Sequence, residues 1–248
     1  SGLFFRNGWT FKNLNEIRTE FNYFPARWED RNSFGNGDYK MHDRFVGEFA
    51  FGTDTSQKVS FSALVGMRQE ELSDWTLRSS VGLSYKPADQ FSLDLDLNYF
   101  ERKGWLLHNT ERLMTKYDAG DFQPRLGMDI FFTAKQQLRL TVQWAAIKAE
   151  ATEFFVIPEQ GGTLVSLEDS NGYNPINSVR ADFALSRLTS QIRYRWEIGP
   201  LSDFFLVYTR GSNLPNRAEE SYGELWEDAI SYPIVDTYVA KLRYRFGN

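Results

Sequence analysis

Asp94 and Asp96 stand two positions apart in the stretch FSLDLDLNYF, residues 91–100. Paired carboxylates serve acid–base chemistry, glycoside hydrolysis above all. On one strand, however, two such residues share a face and equally make a solvated wall. The only histidines are His42 and His108. His42 adjoins Asp43, which matches a membrane-barrel hydrolase only as a dipeptide. There is no Gly-x-Ser-x-Gly stretch and no His pair at metal spacing. Asp169 and Asn171 in LEDSNGYN offer oxygens to calcium, but the full loop pattern is absent and a plain turn is the simpler reading. No catalytic residue, metal ligand or cofactor is therefore assigned.

A second charge pattern is basic. Arg139, Arg193, Arg195, Arg243 and Arg245 occupy the polar positions of alternating stretches. Set across a lumen from Asp94 and Asp96, they would create a transverse field that selects solutes, as charged pore rings do. The plainer reading is a salt-bridged network that fills or stiffens the lumen.

The elements that carry these residues alternate with period two. In FSLDLDLNYF the positions Phe91, Leu93, Leu95, Leu97 and Tyr99 are apolar, and the positions between them are polar. Alternate side chains of a strand point to opposite faces, so the segment has one oily and one wet face. The same pattern runs through VSFSALVGMRQ, WTLRSSVGLSYK, LRLTVQWAAIK, SQIRYRWEI and YVAKLRYRF. About eleven strands are predicted, at 2–12, 15–28, 42–53, 58–70, 75–87, 91–105, 113–134, 137–155, 181–199, 203–212 and 235–247. No helix is predicted. Many runs exceed the five or six residues usual in soluble sheets and reach the roughly nine to eleven that a tilted membrane strand needs.

Connections at 53–57, 86–90, 134–137 and 199–203 are short. Those at 29–41, 106–112, 156–180 and 213–234 are long, with 70–74 a short exception. Short turns at one end and long loops at the other is the habit of outer-membrane barrels. Trp75, Tyr85, Tyr99, Trp105, Trp196 and Tyr244 fall toward strand ends, as interfacial aromatics do. Cross-strand pairing in an ordinary sheet places aromatics similarly. The closing strand ends Leu242, Tyr244, Phe246, a pattern like the signal that barrel-assembly machinery reads, although Gly247 and Asn248 follow it.

Bulk properties narrow the classes. The chain has 248 residues, a net charge of −5 and no cysteine. A mildly acidic chain without clustered basic residues is not expected to bind nucleic acid. Without cysteine there is no disulfide framework or thiolate metal site. Mean hydropathy is −0.48, and no apolar run is long enough for a transmembrane helix. The first residues, SGLFFRNGWTF, do not read as a signal segment, so a processed chain or a piece of a longer one is expected.

FFTAKQQLRLTVQWAAIKA (131–149), SQIRYRWEIGPLSDFFLVYTRGSN (190–213), AKLRYRF and the upstream ARWEDRNSFGNGDYKMHDRF resemble the C-terminal β-barrel of bacterial proteins carrying domain of unknown function 5916. The resemblance covers most of the chain. It implies an outer-membrane location, a loose connection to glycans, and a periplasmic domain similar to a family-nine carbohydrate-binding module in longer members. It supplies no catalytic residues.

The expectation is an all-β, antiparallel transmembrane β-barrel, or the C-terminal portion of one. Its short turns are periplasmic and its long loops extracellular. Because single-chain bacterial barrels have even strand counts, residues 1–248 are expected to belong to a larger barrel with further N-terminal strands and a periplasmic domain. The expected function is a solute channel or transport protein, or a membrane anchor for a glycan-binding domain. Expected partners are the bilayer and lipopolysaccharide, the assembly machinery, and a periplasmic domain, lipoprotein or glycan. A plugged structural scaffold and a soluble β-sandwich binding module are the alternatives.

Overall fold

The computed structural model describes residues 2–167, 182–216 and 219–246. The candidate calcium ligands Asp169 and Asn171 lie outside the described residues. Among the described residues, fourteen strands and one helix follow in order: β1 (Leu3–Thr10), β2 (Glu16–Phe24), β3 (Arg27–Glu29), β4 (Tyr39–Met41), β5 (Arg44–Gly52), β6 (Val59–Gln69), β7 (Trp75–Ala88), β8 (Phe91–Thr110), β9 (Leu113–Thr133), β10 (Gln136–Val156), β11 (Val165–Ser166), β12 (Phe183–Gly199), β13 (Ser202–Asn216), α1 (Tyr222–Ser231) and β14 (Val235–Arg243). The main sheet runs β1-β2-β5-β6-β7-β8-β9-β10-β12-β13-β14, with β11 added beside β10. Every pair in it is antiparallel. The fold is thus the antiparallel meander of a barrel wall, strand for strand where the alternation puts it.

Connections at one end, called lower here, are tight: only Asp89–Gln90, Ala134–Lys135 and Pro200–Leu201 separate the paired strands. At the upper end the 25–43 segment carries the β3–β4 hairpin, and α1 fills most of the segment before β14. The expected loop at 106–112 is instead strand. β8 and β9 run 20 and 21 residues and turn through Glu111 and Arg112 alone. A bulge between Arg102 and Trp105 absorbs Lys103 and Gly104, after which pairing resumes. A bulge breaks the alternation without ending the strand, so it reads as a loop in sequence.

The helix also corrects the sequence reading. Tyr222, Leu225, Trp226, Ala229 and Ile230 recur at the spacing of one helical face. Ser221 caps it: its hydroxyl accepts from the Glu224 N–H at 3.3 Å, and Glu224 accepts from the Ser221 N–H at 2.7 Å. The Ser221 N–H, together with the Ser221 hydroxyl, which donates to the same carboxylate at 2.8 Å, holds the Glu224 carboxyl below its ordinary range. Leu225 and Ala229 are fully buried against Trp144, Ala146, Ala184 and Leu188 of β10 and β12. The Trp144 indole donates to Ser186 Oγ at 2.9 Å, and that hydroxyl donates to the Leu225 carbonyl at 2.8 Å.

A second upper cluster packs Tyr39 and Met41 of β4 on Leu106, Met114, Phe155 and Ile157. The Tyr39 hydroxyl donates to Glu71, which also accepts from Asn32 Nδ2 at 3.3 Å. Burial pushes the Glu71 carboxyl above its ordinary range, and the two hydrogen bonds only partly offset that. The folded protein therefore holds this proton more tightly than the unfolded chain. The resulting stabilisation is present below the unfolded value of 4.5 and is lost as pH rises through the raised folded value. Amides of segment 25–43 should be better protected, after correction for intrinsic exchange, at about pH 4 than at about pH 8. Glu71→Gln should remove this gain at low pH and leave the opposite contribution of Glu29, which, against the opposing effect of burial, its Arg31 and Asn32 N–H donors hold below its ordinary range; a pH dependence unchanged by the substitution would refute the assignment.

Candidate functional site

Register decides which side chains share a wall. One face carries Arg6, Arg18, Glu20, Glu48, Ser62, Arg78, Gly82, Ser84, Asp94, Asp96, Arg125, Asp129, Arg139 and Thr141. It continues through Arg193, Arg195, Asp203 and Arg243. This polar face is the concave one. A single cavity of about 1080 Å³ touches β1, β2 and β5 through to β10, and Arg18, Ser62, Asp94, Asp96, Arg125 and Arg139 line it.

The opposite, outer face is apolar. Phe5, Phe21, Phe49, Phe61, Val65, Val81, Leu83, Ile192 and Leu206 stand on it and are exposed. Along β1, β2, β5, β6 and β7 the register puts no Asp, Glu, Lys or Arg on this face. From β8 onward charge appears only toward the upper ends, beginning at Glu101, Asp118, Lys148 and the Arg210–Asp236 pair.

The strand pattern creates the cavity by sparing bulk. Ser60, Ser62, Gly82 and Ser84 leave room in front of Asp94 and Asp96. A Cβ at Gly82 would overlap the Ser62 hydroxyl and sit 3.0 Å from Asp96 Oδ1, so those side chains would have to shift to admit one. Asp94 accepts from the Ser84 hydroxyl. Asp96 faces Arg125 across the β8–β9 pair.

The expected charged residues divide into two groups. Asp94, Asp96 and Arg139 share the cavity. Arg139 is held there by Asp129, with Nε donating at 2.8 Å, while Gln137 donates to the same carboxylate oxygen at 2.8 Å. Farther around the wall, Arg195 donates to Asp203 through Nε at 3.2 Å and Nη2 at 3.0 Å, and Arg243 donates to its other oxygen. Asp203 thereby ties β12, β13 and β14 together. Arg193 lies opposite Arg139 and Val207 and has no carboxylate within ion-pair distance among the described residues. Arg245 lies beyond β14, its backbone N–H donating to Ser202 Oγ at 3.0 Å. Similar pairs, Arg6–Glu20 at 3.0 Å and Arg78–Glu48 at 3.1 Å, brace the first strands.

Asp203, Asp129 and Arg125 escaped the sequence reading. Asp203 sits in GPLSD and reads as turn, and the unbroken apolar run from Phe204 to Tyr208 hides which face it shares. Pro124 and Gly127 interrupt the pattern around Arg125 and Asp129.

Tyr99 is exposed on the outer face but lies in the middle of β8, which continues to Thr110 instead of ending at 105 as expected. Trp75, Tyr85 and Trp196 stand on the outer face near strand ends and are exposed. Trp105 does not. The bulge turns it to the concave side, where its ring lies 4.9 Å from the Arg102 guanidinium and 6.4 Å from Phe183. Leu242 is on the outer face of β14, but the strand ends at Arg243, earlier than the expected 247. Tyr244 and Phe246 follow it and pack edge to face at 4.9 Å. His108 Nε2 lies 2.7 Å from the Glu111 carbonyl. No group of three or more His, Asp or Glu among the described residues is arranged to hold a metal.

Comparison with known proteins gives a family. The model described as domain of unknown function (DUF5916) matches residues 3–246. No curated protein matches. Among solved structures, a chain described as the copper transporter OprC superposes with a TM-score of 0.42 at 13% identity, over 92% of this chain and 36% of that one. The present chain thus spans about a third of that protein's length.

Proposed function

The chain belongs to the family of the domain of unknown function (DUF5916), and for this member we propose the wall of an outer-membrane β-barrel whose polar interior passes solutes. The observation that carries the reading is the split between its faces. An outward band free of charge backs onto a concave wall of Arg, Asp, Ser and Thr. A soluble sheet gains nothing by keeping charge off an exposed face, whereas in lipid each charge near the midplane costs about 2–4 kcal/mol. The short lower turns would be periplasmic and the upper connections extracellular. Trp75, Tyr85, Tyr99 and Trp196 would lie near the bilayer boundaries. Lipopolysaccharide would then meet the outer face, and Leu242 with the aromatics after it would serve assembly. Anchoring a periplasmic glycan-binding domain is compatible with the same wall.

Conductance tests the reading. The protein, folded in detergent and inserted in a planar bilayer, should give stable steps. The arginines should contribute unequally to selectivity. Arg195 shares the Asp203 carboxylate with Arg243, whereas Arg193 has no carboxylate beside it among the described residues, so Arg193→Gln should move the reversal potential toward cation preference more than Arg195→Gln does. No shift with Arg193→Gln would remove Arg193 from the solute path, and equal shifts would show that the Asp203 pairing does not screen Arg195. Silence from inserted protein would favour the scaffold reading, for which the ion pairs at Asp129 and Asp203 provide bracing.

A further inference from the structure

Strand direction constrains how this wall closes. β1 leads into the tight 11–15 connection shared with lower turns, so it runs from upper to lower end. β14 follows the upper segment that holds α1, so it runs the same way. Among the described residues the order has eleven strands, and β1 and β14 are its two free edges. Joining them directly would make a parallel seam in a sheet whose every other pair is antiparallel. A second copy in the same orientation fares no better, because its β1 would lie parallel to the first copy's β14. Both edge strands are exposed along their whole length. Left open in a bilayer, their backbone donors and acceptors would have no partner, which only barrel closure relieves.

Resting on the membrane reading, we infer that β1 and β14 flank a gap filled by an odd number of further strands, the ones beside each edge running from lower to upper end. The occupant is a β-meander that precedes β1 in the same polypeptide. The main sheet supports this source, since each of its strands hydrogen-bonds to the strand next to it along the path of the chain, skipping only the β3–β4 hairpin and β11. A strand rising beside β1 ends at the upper end, where β1 starts, so a simple hairpin connects them. The occupant must alternate apolar and polar residues, continuing the outer row of Leu3, Phe5 and Trp9 and the inner row of Arg6 and Thr10.

The absence of cysteine makes crosslinking a clean test. In the protein as it is expressed in its native outer membrane, Thr209→Cys with Thr237→Cys reports the β13–β14 pair, where the two residues are in register. That disulfide should form. Arg6→Cys, combined in turn with cysteine at Thr237, Val239 and Lys241, samples the registers of a direct seam and should form none. The β1 amides that do not bond to β2 should nonetheless resist hydrogen exchange, because the inserted strands cover them. A disulfide between position 6 and β14 would overturn the inference, within one chain as parallel closure and between chains as a seam of copies. Freely exchanging β1 amides without that disulfide would overturn it too, since the edge would then be open. Protection that persists when the preceding segment is supplied by a different polypeptide would overturn the assigned source. Loss of the 209–237 control would strike at the sheet and the membrane reading themselves, a failure distinct from these.

Discussion

Leu95→Arg is expected to block stable insertion, at a cost of about 2–4 kcal/mol, while Asn98→Arg on the same strand is tolerated. Leu95 lies midway along the outward row of β8, between Leu83 of β7 and Leu126 of β9. Nothing on that face can pair with a guanidinium, and the side chain is too far from either rim to reach water without distorting its surroundings. Asn98 points to the concave wall, opposite Ser80 and Gln123, where arginines already stand. The two substitutions add the same charge three residues apart, so strand propensity and net charge cannot explain a difference. Heat-modifiable mobility and urea midpoints in lipid vesicles measure it. Equal tolerance of both would mean that the outer face does not meet hydrocarbon.

Trp144→Ala should undock α1. The ring is nearly buried, makes edge-to-face contacts with Phe122 at 5.9 Å and Trp226 at 5.2 Å, and its N–H begins the chain to Ser186 and the Leu225 carbonyl. Removing a buried large aromatic costs about 3–5 kcal/mol. Beyond the packing of Leu225 and Ala229 and the Phe122–Tyr222 ring contact at 6.1 Å, the helix is held by Arg210, which donates to the Ile230 carbonyl, and by Asn216, which donates to Asp228 at 3.0 Å. The loss should therefore appear as local opening rather than global unfolding. Hydrogen exchange should speed up in residues 222–231 and leave β8 and β9 unchanged. Trp144→Phe keeps the ring contacts but frees Ser186, and should fall between. A helix that stays protected in Trp144→Ala would show that its cap and intrinsic propensity suffice to hold it.

Much of the wall was legible because a strand's two faces are written directly into alternate residues. Eleven main-sheet strands stand where the alternation predicts them, and Asp94, Asp96 and Arg139 face the polar side with no tertiary information needed. The pattern fails where one residue breaks phase. The bulge at Lys103 and Gly104 turned Trp105 inward and made a continuing hairpin look like a loop. The helix was missed for a different reason. Its capping box at Ser221 and Glu224, and its three-and-four spacing from Tyr222 to Ile230, were readable. They were masked by the turn-forming residues on either side, which drew the whole segment into one long connection.

Period two determined by itself that the sheet has one oily and one wet face, and the short connections determined that the ladder is antiparallel with tight turns at one end. It could not say which face is concave, because an alternating strand reads the same whichever way the sheet curls. Only the tertiary structure decided that the polar face curves inward around a cavity. Only it showed that Asp129 holds Arg139 while Asp203 holds Arg195 and Arg243, leaving Arg193 without a carboxylate. The pairs Asp129–Arg139 and Asp203–Arg195 join neighbouring strands across turns of two residues, and Arg243 reaches Asp203 from the strand beyond the segment that holds α1. They depend on register, which a tight turn sets through its backbone geometry and which no count of polar positions reveals.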